Sequence, residues 1–151
     1  MVNRLGVGLI VLLISISGCA REFPQVNREL DAPSASYRVP PKELVERIKK
    51  IVSSPPMSLG VESEKDGSIV TGYQQFPGDW HIGRRWQERT KYRITVIPDW
   101  NEPTAAARID VRELTEQRAA EGMKWAPAYD LQRPERAKEM LTKLDEQIKR
   151  Q

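Results

Sequence analysis

The chain has little of what most catalytic and metal sites are made from. It holds one cysteine, Cys19, and one histidine, His81, in 151 residues. A single thiol excludes an internal disulfide and a thiolate metal cluster, and a single imidazole excludes a paired-histidine metal site. One histidine leaves at most one candidate base, and a catalytic triad is defined by geometry rather than by presence. No apolar run reaches the roughly 20 residues that a membrane-spanning helix needs. No glycine loop suited to phosphate is present, because "GDWHIG" lacks both the spacing and the Lys-Ser/Thr that should follow it. An excess of one charge is also missing, since 24 basic residues face 21 acidic ones. So balanced a surface has no long-range field to collect nucleic acid, whatever the sequence pI of about 9.1. Scattered carboxylates do not define a glycosidase pair. No cofactor, metal or small-molecule substrate is implied, and an enzyme is not expected.

What is there begins at the N-terminus. Asn3 and Arg4 form a polar, positive head, and Leu5 to Ile16 form an apolar run of 12 residues. That length and head fit the central segment of a secretory signal peptide. Ser17 and Gly18 then lead directly into Cys19. The stretch "ISGC" resembles the lipobox of bacterial lipoproteins, where a small pair precedes an obligatory cysteine whose sulfur is the nucleophile for alkylation. The resemblance implies that residues 1–18 are removed, that Cys19 becomes the lipid-bearing N-terminus, and that Ala rather than Asp at position 20 sends the protein on to the outer membrane. Two or three acyl chains make such an anchor stable where one would be marginal. The alternative is a buried thiol ending an N-terminal helix. Loss of Arg4 takes the 24 basic residues to 23 against 21 acidic ones, so the mature chain stays near balance.

Residues 19–36, with two prolines and no sustained apolar period, read as the lipidated N-terminus and a flexible tether. Fully extended, the 17 residues after the cysteine span at most about 55 to 60 Å. Phe23 and Leu30 offer an alternative in which part of the segment packs back. Residues 37–151 read as a single domain of about 115 residues. "PPKELVERIKKIVSS" places Leu44, Val45, Ile48, Ile51 and Val52 on one helical face, and Pro55 and Pro56 stop the helix. Val61, then Asp66-Gly67, then Ile69, Thr71 and Tyr73 read as a hairpin. Two longer strands follow, one carrying Trp86, Tyr92, Ile94 and Val96 inward and the other Ala107, Ile109 and Val111, joined by a turn from Pro98 to Pro103. "RPERAKEMLTKLDEQIKR" closes the chain as a helix with Ala137, Met140, Leu141, Leu144 and Ile148 on one face. The connection before it is expected to lay Trp125 and Tyr129 against the domain.

The expected fold is therefore α+β, an antiparallel four-stranded sheet covered by an N-terminal and a C-terminal helix. A short leading strand at Tyr37 to Val39 fits the same scheme. This order of lipobox, tether, "Y-x-V-P-x-x-x-L" start of a helix, "DGSIVTGY" hairpin, long strands and closing helix resembles the helix-grip domains of BamC-like (NlpB-like) outer-membrane lipoproteins. BamC has two such domains and this chain has room for one. The resemblance implies a periplasm-facing, lipid-anchored module for binding or assembly in outer-membrane protein assembly, with an envelope protein as partner. The candidate partner-binding residues are Trp80, His81, Arg84 and Arg85 in "FPGDWHIGRRW", read as a loop that joins two strands and is rich in residue types favoured at interfaces. In the competing arrangement Trp80 and Ile82 fold under as a lid on the core. A second function stays open: a lipoprotein that contacts peptidoglycan or glycan, or a weak hydrolase, with Trp80, Asp79, His81 and Arg84 at a sugar site.

Overall fold

The computed structural model describes residues 32–81, 83–119, 122–128 and 133–150, without the side chains of Asp79, Trp80, His81 and Arg84. Cys19, the signal segment, Phe23, Leu30, Ile82 and Tyr129 lie outside the described residues. In chain order the elements are β1 (Ser34–Tyr37), α1 (Pro41–Ser53), β2 (Val61–Lys65), β3 (Ser68–Thr71), β4 (Gln74–His81), β5 (Arg84–Pro98), β6 (Ala107–Arg118), β7 (Ala126–Pro127) and α2 (Pro134–Ile148).

The expectation of a four-stranded sheet under two helices is corrected: the fold is dominated by one sheet of seven strands, all pairing antiparallel, with two helices among the described residues. Its axis is the hairpin of β5 and β6, paired continuously from Pro98↔Ala107 to Gln87↔Arg118. A strand of 15 residues such as β5 runs roughly 50 Å, whereas a helix of the same length covers only about 22 Å. No two helices of this size seal such a ribbon, and each long strand instead collects two shorter partners end to end. On the outer edge of β5 lie β3, at Ser68↔Thr95 to Val70↔Arg93, and then β4, from Gln74↔Thr90 to His81↔Arg84. On the outer edge of β6 lie β1, at Tyr37↔Ala107 to Ser34↔Asp110, and then β7, at Glu116↔Pro127. Strand β2 completes the sheet beside β3 through the turn Asp66-Gly67, whose φ values of 51° and 75° suit a tight hairpin.

Both helices cover one face. α1 begins with proline at its first turn and buries Leu44, Val45, Ile48, Ile51 and Val52. Complete burial of such side chains stabilises by about 1.5 to 3 kcal/mol each before entropy is counted. They meet Ile69, Tyr92, Ile94, Val96, Ala107, Ile109 and Val111 from the sheet, and Ala137, Met140, Leu144 and Ile148 from α2. The Tyr37 hydroxyl donates to Asp145 Oδ1 at 3.1 Å and ties β1 to α2 across the fold.

Two further boundaries are corrected. The leading strand is Ser34–Tyr37 rather than Tyr37–Val39, and so takes in the last residues read as tether. Ser34 and Ser36 face outward and only Ala35 and Tyr37 pack against the core, too short an alternation to carry a strand signal, and backbone pairing with β6 sets it in place. The segment read as a loop from Phe76 to Trp86 is the paired hairpin β4–β5, with a bulge between Pro77 and Trp80 and a turn at Gly83.

Candidate functional site

Strand phase assigns each side chain of β5 and β6 to one of two faces, and each face carries its own polar cluster. The buried face continues the alternation of Tyr92, Ile94 and Val96 back to Thr90 and Glu88, and that of Ile109 and Val111 on to Glu113 and Thr115. Glu88 is 2% exposed and Glu113 7%. A carboxylate so placed needs a cation. α2 supplies it from its first turn: Arg136 Nη1 pairs with Glu88 Oε1, approaches Glu113 Oε1 at 3.4 Å and donates to Thr90 Oγ1 at 3.1 Å. The guanidinium also lies over the Phe76 ring, 3.9 Å from its centroid. Thr115 Oγ1 donates to Glu113 Oε1 at 2.5 Å, and the Arg133 backbone N–H donates to Glu113 Oε2 at 2.9 Å. Arg133 is the N-cap of α2 and makes no side-chain capping bond, so Glu113 reaches from β6 to cap the helix and meet its dipole. Burial, with Glu113 nearby, pushes the Tyr92 phenol up to about 12. This cluster pins a helix to a sheet, and its chemistry is structural.

The opposite face of the sheet is not covered by the helices, and a second cluster lies there. Arg89 of β5 sits between two rings, 3.8 Å from the Tyr73 centroid and 4.3 Å from that of Trp125. Arg118 of β6 approaches the same Trp125 ring at 4.6 Å, and its Nε donates to Gln87 Oε1 at 2.5 Å. Glu116 holds the stack together, accepting from Arg89 Nε at 2.7 Å and from the Tyr73 hydroxyl at 3.0 Å. Lys91 approaches Tyr73 at 4.7 Å and donates to both carboxylate oxygens of Glu62 at 3.0 Å. Burial acts to lower the Lys91 pKa, but the hydrogen bonds with Glu62 and Tyr73 outweigh it and raise it above the ordinary lysine value.

Tyr73 reaches this face through a slip in phase. Thr71 and Gln74 both face the helices although they are three positions apart, because the chain leaves strand pairing at Gly72 and Tyr73. Unbroken alternation from Ile69 through Thr71 would turn Tyr73 toward the helices, and the slip at Gly72 and Tyr73 turns it to the other face. Trp125 does lie against the domain, on the face away from the helices.

The residues singled out in the sequence sit elsewhere. Trp80 pairs with Arg85 and His81 with Arg84 at the turn end of β4–β5. Arg85 is exposed, with its Nε 3.3 Å from the Gly78 carbonyl oxygen. Among the described residues the aromatic side chain most open to solvent is Trp100, 95% exposed in the β5–β6 turn, where Asp99 Oδ1 accepts from the backbone N–H groups of Asn101 at 2.8 Å and Glu102 at 3.1 Å. Among the described residues no three His, Cys, Asp or Glu side chains are grouped to hold a metal ion. No described helix is long and apolar enough to cross a membrane.

No protein-family model matches the chain, and no curated protein does. Among solved structures it is similar to the crystal structure of a DUF4468 family protein from Bacteroides ovatus ATCC 8483, at 9% identity and a TM-score of 0.43, over 77% of this chain and 84% of that one.

Proposed function

We propose that the protein is a lipid-anchored envelope lipoprotein, held at the outer membrane through Cys19 and facing the periplasm, whose domain is a non-enzymatic binding or assembly module for another envelope protein. The observation that carries the module is the stack of Tyr73, Arg89, Trp125 and Arg118 on the sheet face turned away from the helices. Tyr, Trp and Arg are the residue types that dominate binding energy at protein interfaces. Here they are fixed in advance by Glu116 and Gln87, which lowers the entropy lost when a partner orders them. The anchor rests on the residues Ser17-Gly18-Cys19 behind the apolar run. The β4–β5 turn, with Trp80, His81, Arg84 and Arg85, continues the strand that carries Arg89 and is the second contact offered to the partner.

Two measurements test the parts separately. Cys19→Ser abolishes fatty-acid labelling and membrane fractionation, and unchanged labelling refutes the anchor. For the module, a photo-crosslinking residue replaces Leu114, which stands opposite Lys91 on the open face, or Lys138 on the exposed side of α2 in the full-length chain, in intact envelopes. Discrete adducts form from position 114 and disappear with Arg89→Glu. Equal adducts from both positions, or adducts indifferent to Arg89→Glu, refute the surface.

A further inference from the structure

Two apolar features of the described surface lie apart from the polar clusters, one a knob and the other a hollow. Trp100 is the knob, 95% exposed at the tip of the β5–β6 turn. The backbone beneath it is braced, since Asp99 Oδ1 takes the N–H groups of Asn101 and Glu102, and the Glu102 carbonyl accepts from Ala105 at 3.0 Å and Ala106 at 2.9 Å. The hollow is a cleft of about 230 Å³ between the α1–β2 connection and α2, lined chiefly by Pro56, Met57, Leu59, Met140, Lys143 and Glu146. Met140 is buried there, Met57 and Leu59 are half-buried, and Lys143 and Glu146 are exposed. Its wall is braced as well, because the N–H groups of Leu59 and Gly60 both donate to the Val52 carbonyl, at 2.8 and 3.1 Å. An apolar cavity of about 150 Å³ holds a benzene ring, so this cleft has room for an indole.

We propose that Trp100 of one copy of the chain enters the cleft of a second copy. The thioethers of Met57 and Met140 line the space that the ring takes up, and sulfur against an aromatic ring is a favourable contact. Charge fits in the same sense. Arg38 and Glu102, both exposed, lie together in a hollow beside the turn and answer Glu146 and Lys143 at the mouth of the cleft, a base to an acid in each case. Both surfaces are set before they meet, so little ordering entropy is lost when they do. The contact joins two different patches, and since every copy carries both, copies link in series or close into a ring. It leaves the stack around Arg89 free for the envelope partner, and it rests neither on that reading nor on Cys19.

The full-length Cys19→Ser chain is made in two forms, one carrying Asn101→Cys beside the knob and the other Gln147→Cys in the lining of the cleft, and their mixture is treated with a short bismaleimide. The expected product is a heterodimer joined between positions 101 and 147. Below saturation, Trp100→Ala in the first form lowers its yield about thirtyfold, the loss typical of an anchoring tryptophan, and Met57→Lys in the second form does the same. Glu102→Lys also lowers the yield and Lys143→Glu in the other form restores it, which no loss of fold imitates. Replacing Gln147→Cys by Lys138→Cys, on the exposed side of α2, gives only background. The apolar run of residues 5–16 is present in every form, so association through it is indifferent to Trp100. A yield at position 147 no greater than at 138, a yield unchanged by Trp100→Ala, or a charge reversal that Lys143→Glu fails to rescue overturns the proposal.

Discussion

Replacing Arg136 by methionine isolates the pin between α2 and the sheet. The guanidinium side chain is 11% exposed and faces carboxylates whose side chains are 2% and 4% exposed, at Glu88 and Glu113. Methionine keeps an apolar stem against Phe76 and removes the cation. Two buried acids are then left without it, and breaking a buried pair from one side costs about 3 to 5 kcal/mol. At this domain size 1 kcal/mol moves the melting temperature by about 4 °C, so the midpoint should fall by about 12 to 20 °C. Most of that cost is the stranded charge of Glu88, since Glu113 retains donors from Thr115 and the Arg133 N–H. Adding Glu88→Gln to Arg136→Met should therefore recover at least half of the loss. Circular dichroism melts measure both variants, and hydrogen exchange should place the first opening in the amides of α2. A drop below about 4 °C, or a double variant less stable than Arg136→Met alone, would refute the account of Arg136 as the counter-ion that seats the helix.

Three further outcomes follow. Burial raises Tyr92 from 10.0 to about 12, so its contribution is fully present below pH 10 and lost as pH rises through 12. In alkaline titration the phenolate absorbance that Tyr92→Phe removes should therefore appear together with unfolding; its appearance near pH 10 in the folded protein would contradict the buried placement. A Cβ on Gly78 would lie 1.7 Å from the Trp86 carbonyl oxygen, so Gly78→Ala should speed hydrogen exchange in β4 while leaving α1 protected. Trp100→Ala should shift the midpoint by no more than about 2 °C because the ring is solvated, and Trp80→Ala should match it if the β4–β5 turn serves a partner. A loss of about 3 to 5 kcal/mol at Trp80 would instead mark it as a lid on the core.

The helices and the central hairpin are legible in the sequence because their periodicity concerns apolar residues. Leu44, Ile48 and Val52 recur at helical spacing, and Tyr92, Ile94 and Val96 alternate, so burial and pattern coincide. The elements that escape reading have no such pattern. β1 offers Ser34, Ala35 and Ser36. β7 is two residues long and contains a proline, and β4 holds Pro77 and Gly78, which argue for a loop by propensity. All three exist because β5 and β6 are longer than the helices and leave backbone edges to be paired, a tertiary demand that no local window records.

Both polar clusters, by contrast, are written in the alternation once charge is followed as well as hydrophobicity. Extending the phase of Tyr92 by two steps places Glu88 inside, and extending that of Val111 by one step places Glu113 inside. Two inward acids on neighbouring strands require a cation from whatever covers them. Arg136 stands one residue before Ala137 and four before Met140, on the buried side of the closing helix, and is the residue positioned to supply it. The same phase puts Arg89, Arg93, Arg112 and Arg118 together on the other face. Tyr73 joins them only because the phase slips at Gly72, and an aromatic partner for Arg89 is the single part of that surface which strand pattern alone assigns to the wrong side.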